Sequence, residues 1–357
     1  MRKLAILAVL SASFLSSCGL FSGKTGKNGE LTGVVKRPKW DQPTPFGMVV
    51  IPPGSFHMGQ NDQDVNYSQV AHNKQITISA FYMDDTEISN NEYRQFIEAN
   101  TGDNPDGAFQ DSVLNFLDLY YSYKVTPQDY TQLIYPDTLV WTRDFSFAYN
   151  EPLVENYFWH PAFDQYPVVG VNWYGAQAFC YWRTMLYNNY RAQKEMPPLP
   201  RFRLPTEAEW EYASRGGFEH KIYPWEGPYI RNSKGCFLAN FKPGRGDYIA
   251  DNFEYTCPIK SYWPNDYGLY NMPGNVAEWC EDDFEETGYV YAHDLNPVYR
   301  DPKKLNRRRV IRGGSWKDIA YYLSCGTRTY EYADTTKSFI GFRSVVTMLG
   351  RSGAANL

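Results

Sequence analysis

Phe202-Arg-Leu-Pro-Thr-Glu-Ala-Glu-Trp-Glu-Tyr-Ala213 carries a helix start in its own chemistry. Thr206 followed three residues later by Glu209 is a capping box, in which each side chain satisfies the other's orphan backbone N–H. Trp210 and Ala213 then fall on one helical face. Upstream, Tyr166-Pro-Val-Val-Gly-Val-Asn-Trp173 leads into a second helical stretch, Tyr174 to Tyr187, with Ala176, Phe179, Cys180 and Trp182 marking its buried side. Downstream, Tyr223 to Asn275 is dominated by Gly, Pro, Asn and aromatics and shows little period. The helices therefore sit in a chain that is mostly irregular. Aromatics make up 17% of the 357 residues, with 30 Tyr and 10 Trp. Large side chains with a polar tip suit a fold whose loops must be pinned.

Further out, Gly47 to Gly59 predicts a strand, a Pro-Gly turn and a second strand. Gln75 to Met83 alternates as another strand. Ser89-Asn-Asn-Glu-Tyr-Arg-Gln-Phe-Ile-Glu98 opens with a Ser cap and spaces Tyr93, Phe96 and Ile97 helically. Residues 101–158 lack a clean period and read as an insertion of loops and short elements, the kind of segment that carries function or partner contacts. The C-terminal part predicts a strand at Arg309–Arg312, a Gly-Gly turn, and a final strand at Gly341–Val346. With 43% hydrophobic residues the chain can bury a sizeable core, and a single irregular domain over 47–347 accommodates these elements.

Net charge is −5, which argues against nucleic acid as a partner. Arg307-Arg308-Arg309 is a compact basic cluster, read as an exposed strand entry or a partner contact. At the N-terminus, Arg2-Lys3 precede a short apolar run, Leu4 to Leu15, below the roughly 20 residues a membrane span needs. It reads as a signal peptide, residues 1–17. Leu15-Ser-Ser-Cys-Gly19 resembles a bacterial lipobox, so Cys18 is the expected lipidation site, and several acyl chains there would anchor the protein stably. Residues 18–46 form a polar tether, and 348–357 a tail. Gly19 in place of Asp, with no acidic run after it, points to the periplasmic face of the outer membrane.

Seven stretches in one order carry a family resemblance. They are Met48-Val-Val-Ile-Pro-Pro-Gly-Ser-Phe-His-Met-Gly59, Asp85-Thr-Glu-Ile-Ser-Asn-Asn-Glu-Tyr93, Tyr166–Trp173, Phe202–Ala213, Asn265-Asp-Tyr-Gly-Leu-Tyr-Asn-Met-Pro-Gly-Asn-Val-Ala-Glu-Trp279, Arg312-Gly-Gly-Ser-Trp316 and Gly341-Phe-Arg343. Together they resemble the formylglycine-generating-enzyme (sulfatase-modifying factor) family. That resemblance implies an α+β fold, related to C-type lectins, with little regular secondary structure and long loops. The lipobox, Trp40–Gly47, Phe81–Glu87, Val310–Asp318 and Tyr330–Asp334 also look like the gliding-motility and type IX secretion lipoproteins of the GldK/PorK kind. This narrower likeness implies a ring component that self-associates and binds a PorN/GldN-type periplasmic protein. The chain is shorter than such proteins, mainly in the insertion.

The family's oxidases place a copper-binding cysteine pair just after the Arg-Gly-Gly-Ser-aromatic motif, where soft thiolates suit Cu(I). Here Asp318 falls at the first position and Leu323 near the second. Cys325 comes later, and one thiol cannot replace two. The resemblance therefore implies a pseudoenzyme with no copper. The family also holds Ca²⁺ on oxygen ligands. Asn240, Phe241, Asp251 and Phe253 match one site, and Asn271, Gly274, Val276 and Glu278 the other; loop-capping hydrogen bonds are the alternative for both sets. None of the five histidines, His57, His72, His160, His220 and His293, has a metal-ligand spacing in sequence. Removing Cys18 leaves five cysteines, an odd number that names no bridge. A scaffold, an oxidase acting on substrate cysteine, and a glycan- or peptidoglycan-binding module remain as functions to separate.

Overall fold

Met48–Ile51 (β1) and Gly54–Met58 (β2) are the two strands expected around Pro52-Pro53, but they do not pair with each other. β1 pairs antiparallel with β4 (Phe81–Asp84), and β2 with β3 (Lys74–Ile78). Consecutive prolines lack the N–H groups a tight hairpin turn would use, so each strand finds a partner elsewhere. The stretch expected as one strand, 75–83, is correspondingly split between two sheets. A computed structural model describes residues 42–60, 73–101, 107–145, 151–244, 246–301 and 307–350. Cys18, the signal segment and the tether to residue 41 lie outside these. One unit spans Pro43–Leu349.

β4 also pairs with β10 (Val345–Thr347), which pairs with β5 (Phe202–Arg203), giving the order β1-β4-β10-β5. A second four-stranded sheet runs β8 (Arg328–Tyr332), β7 (Arg308–Arg312), β6 (Ala277–Asp283), β9 (Ile340–Gly341), with β6 and β9 parallel. The expected final strand over 341–346 is thus two strands in two sheets. The helices are α1 (Asn90–Thr101), α2 (Gly107–Tyr121), α3 (Pro127–Ile134), α4 (Val140–Arg143), α5 (Glu151–Asn156), α6 (Trp173–Gln193), α7 (Glu207–Arg215) and α8 (Gly288–Tyr291). Mixed helix and strand with long connections is the α+β class. Over 101–158, expected as loops and short elements, α3 to α5 are short helices, but α2 is longer than expected and runs 15 residues. It buries Val113, Phe116 and Leu117, and Phe116 stacks on Tyr181 of α6 with ring centroids 4.3 Å apart.

Buried ion pairs lock these elements. Thr206 and Glu209 form the capping box of α7, and Glu209 also takes both guanidinium ends of Arg203 at 2.7 Å. Glu207 receives Arg328 at 2.8 Å on each oxygen. Glu211 bonds Arg215 and Arg312. One short helix therefore satisfies arginines from β5, β7 and β8. Removing one partner of such a pair leaves a charge stranded in low dielectric.

Candidate functional site

The turn after β7 shapes the cleft in which the resemblance places redox chemistry. Gly313 and Gly314 have φ of +94° and +67°. A Cβ at Gly313 would stand 2.7 Å from the Met272 carbonyl oxygen, and one at Gly314 2.8 Å from that of Tyr322, so both positions demand glycine. Ser315 Oγ donates to Asp318 Oδ2 at 2.6 Å, and the Asp318 N–H donates to the Ser315 carbonyl at 2.9 Å. Arg312, Lys317, Asp318, Tyr322 and Phe339 line a cavity of about 230 Å³. Burial pushes the Asp318 carboxyl up and the Lys317 amine down. The Lys317 ammonium lies 3.1 Å from the Phe339 ring centroid.

Sulfur is placed differently. Leu323 is buried in a small cluster with Tyr223, Phe237 and Phe241. Cys325 is also buried; its Sγ accepts from Ser214 Oγ at 3.4 Å. Burial raises its thiol pKa, opposite to what a nucleophilic or metal-binding thiolate needs. Among the described residues Cys180, Cys236, Cys257, Cys280 and Cys325 are all unbridged, and Cys236 is exposed.

The first candidate calcium set does converge. Asp251 Oδ2 accepts the Phe241 N–H at 2.9 Å and its Oδ1 the Phe253 N–H at 3.4 Å. Asn240 donates to the Tyr255 carbonyl at 2.8 Å, while its Oδ1 is buried with no partner among the described residues. Burial raises the Asp251 carboxyl. A buried acid bonded to Phe241, with the orphan amide oxygen of Asn240 one residue earlier in the chain, offers the oxygen donors a hard cation takes.

The second set is organised around a different acid. Gly274, at φ +82°, lies so close to Asn240 that a Cβ would stand 2.2 Å from its carbonyl oxygen. Asn271 Oδ1 is buried with no partner among the described residues, and Val276 packs in the main core. Glu278, however, receives Arg343 Nη2 on Oε1 at 2.6 Å, and Arg343 Nε and Trp210 Nε1 on Oε2, both at 2.7 Å. Its charge is matched by a guanidinium, so it fits poorly as an anionic calcium ligand. The carboxylate facing these asparagines is Glu87, which accepts from Asn271 at 3.2 Å and from Asn275 at 2.9 Å. Burial, opposed by Arg343, pushes its pKa up to about 8. Glu87 stands in the quoted Asp85–Tyr93 stretch, but nothing in sequence joins it to residues nearly two hundred positions away.

Histidine also regroups. His160 and His293 accept local backbone N–H groups, from Ala162 and Leu295, each at 3.1 Å. His72 lies outside the described residues. His57 and His220, far apart in sequence, stack with ring centroids 5.1 Å apart and share Glu219. Sequence spacing could not reveal this cluster; its one trace was the adjacent pair Glu219-His220.

The sulfatase-modifying factor enzyme 1-like domain matches residues 35–348. Formylglycine-generating enzyme of Mus musculus is 30% identical over 304 residues, covering 83% of this chain and 74% of that protein. Inactive C-alpha-formylglycine-generating enzyme 2 of Bos taurus is 29% identical over 311 residues, covering 83% and 86%. PvdO from Pseudomonas aeruginosa shares the fold, with a TM-score of 0.56 at 20% identity over 88% of this chain and 100% of that one. With a domain match over most of its length and a 30% identical relative, this chain belongs to the sulfatase-modifying factor (formylglycine-generating-enzyme-like) domain family.

Proposed function

We propose that the protein is a non-catalytic member of this family: a lipoprotein anchored through Cys18 on the periplasmic face of the outer membrane. There it serves as a structural ring component of a type IX secretion or gliding-motility machine, with a PorN/GldN-type partner. One observation carries the non-catalytic reading. Asp318 falls at the first thiol position and Leu323 near the second, while Cys325 is buried, which raises its thiol pKa. Arg312, which lines that cleft, keeps its buried pairing with Glu211. A relative named as inactive, 29% identical, is consistent with such a member. The lipobox and the GldK/PorK-like stretches support the assignment to the machine.

An oxidase remains the second reading, favoured by the 30% identity to an enzyme named for formylglycine generation. Two measurements separate them. Purified full-length protein, supplied with copper and a cysteine-containing peptide, should form no aldehyde; sustained turnover would overturn the scaffold. Pull-down from detergent-solubilised outer membranes should bring a large complex with a periplasmic partner. A small partnerless monomer would defeat the assembly reading.

A further inference from the structure

His57, Glu219 and His220 converge from two separate parts of the fold. His57 stands on β2, opposite Gln75 of β3. Glu219 and His220 lie on the loop that leaves α7 after Gly216. One ligand atom from each of the three lies within 4.8 Å of the other two. Glu219 Oε2 is 3.9 Å from His57 Nδ1 and 3.7 Å from His220 Nε2. Those distances exceed hydrogen-bond range, so hydrogen bonding does not account for the convergence. His57 Nδ1 is buried and has no hydrogen-bond partner among the described residues, although a polar atom shut from water ordinarily finds one.

We propose that these three side chains form a binding site for a divalent transition-metal ion of the zinc class. Two imidazole nitrogens and one carboxylate oxygen are a donor set that zinc takes, with a fourth position left for water. Metal–ligand bonds of about 2.0–2.1 Å put tetrahedral donors roughly 3.3 Å apart, so on binding the three donors must draw together from their present spacing within 4.8 Å, and the stacked imidazole rings of His57 and His220 must turn to aim their lone pairs at one ion. The side chains of Glu219 and His220 are half exposed, which leaves that fourth position facing solvent. Ca²⁺ and Mg²⁺ prefer all-oxygen sets, so this site is chemically distinct from the asparagine-rich loops.

The surroundings hold the ligands in place. Arg215 Nη2 donates to the Gly59 carbonyl and its Nη1 to the Lys221 carbonyl, at 2.8 and 2.9 Å. Glu211 accepts the Gly59 N–H at 2.8 Å. A buried Glu211–Arg215 pair thus ties the strand end two residues past His57 to the loop one residue past His220. These bonds fix the two backbone segments that carry the ligands. The ion would fasten the β2–β3 hairpin to the loop after α7.

The test is zinc titration of the full-length detergent-solubilised protein after chelator treatment, with Co²⁺ as a spectroscopic probe. One equivalent of Zn²⁺ should bind, and Co²⁺ should give a tetrahedral nitrogen/oxygen spectrum without thiolate charge transfer. The last point excludes exposed Cys236. His57→Ala and His220→Gln should each weaken binding by about 100-fold or more, since even outer-shell changes cost about 10–100-fold. Both variants should keep the wild-type circular dichroism; Glu219→Gln, on the exposed loop, supplies a third test if either fails to fold. Absence of stoichiometric binding, a sulfur-ligated cobalt spectrum, or wild-type affinity in any folded variant would overturn the site.

Discussion

Arg343 donates to both carboxylate oxygens of Glu278, at 2.7 Å from Nε and 2.6 Å from Nη2, and both side chains are buried. The pair joins the segment before β10 to β6, and Arg343 also donates to the carbonyls of Tyr270 at 2.9 Å and Asp84 at 3.2 Å. Arg343→Met strands Glu278 without a counter-charge and should cost about 3–5 kcal/mol. Adding Glu278→Leu removes the stranded charge and should recover part of that loss, short of the hydrogen bond from Trp210. Urea unfolding of the two variants checks this. A double variant less stable than Arg343→Met would refute the charge argument.

Gly274 and Gly235 separate conformational strain from collision. Their φ values are +82° and +83°, yet a Cβ meets Asn240 oxygen at 2.2 Å in the first and nothing within 4 Å in the second. Gly235→Ala should therefore cost only the left-handed penalty, roughly 1–2 kcal/mol. Gly274→Ala must in addition push the Asn240 and Gly274 loops apart, and should be the more destabilising by a clear margin. Equal losses in thermal unfolding would show that the close approach carries no energy.

Local chemistry was legible and distant partnership was not. Thr206 and Glu209 announce the start of α7 because both halves of the capping box lie within four residues. The helix α2 escaped notice because apolar residues occupy both its faces: Val113, Phe116 and Leu117 are buried, while Leu119 and Tyr120 are exposed. That mixture blurs a 3.6-residue period. The oxygen-rich loops of Asn240 and Asp251 were visible as a matching pattern. That Glu278 belongs to Arg343, and that Glu87 faces Asn271 and Asn275, depends on chain crossings that no spacing encodes.

Asp282 links stability to pH. Its carboxylate accepts N–H groups from Glu207 and Tyr299, each at 2.7 Å. Burial, aided by the charge of Glu207, nevertheless pushes its pKa up to about 7 from 3.8. A raised folded-state value means that the stabilising contribution is complete below the unfolded pKa and is lost as pH rises from about 4 through 7. At about 1.4 kcal/mol per unit, the loss is at most about 4 kcal/mol. Asp282→Asn should flatten this part of the profile. Urea unfolding at pH 5 and pH 8 measures it, and an unchanged slope in the variant would reject the assignment.

Calcium should act through Asp251 more than through Glu278. The Asp251 carboxylate accepts the backbone N–H groups of Phe241 and Phe253, and among the described residues no arginine is bonded to it. A cation there relieves both the buried charge and the orphan oxygen of Asn240. Glu278 already has its counter-ion, so a second cation would meet the field of Arg343. An ion held at one hundred times its dissociation constant stabilises the folded state by about 2.7 kcal/mol. The difference in unfolding free energy between calcium and chelator should therefore be large in the wild type and nearly absent in Asp251→Asn. Glu278→Gln should lower stability in both conditions alike and keep the difference. If instead Asp251→Asn retains the full calcium response, the ion is not held by that loop.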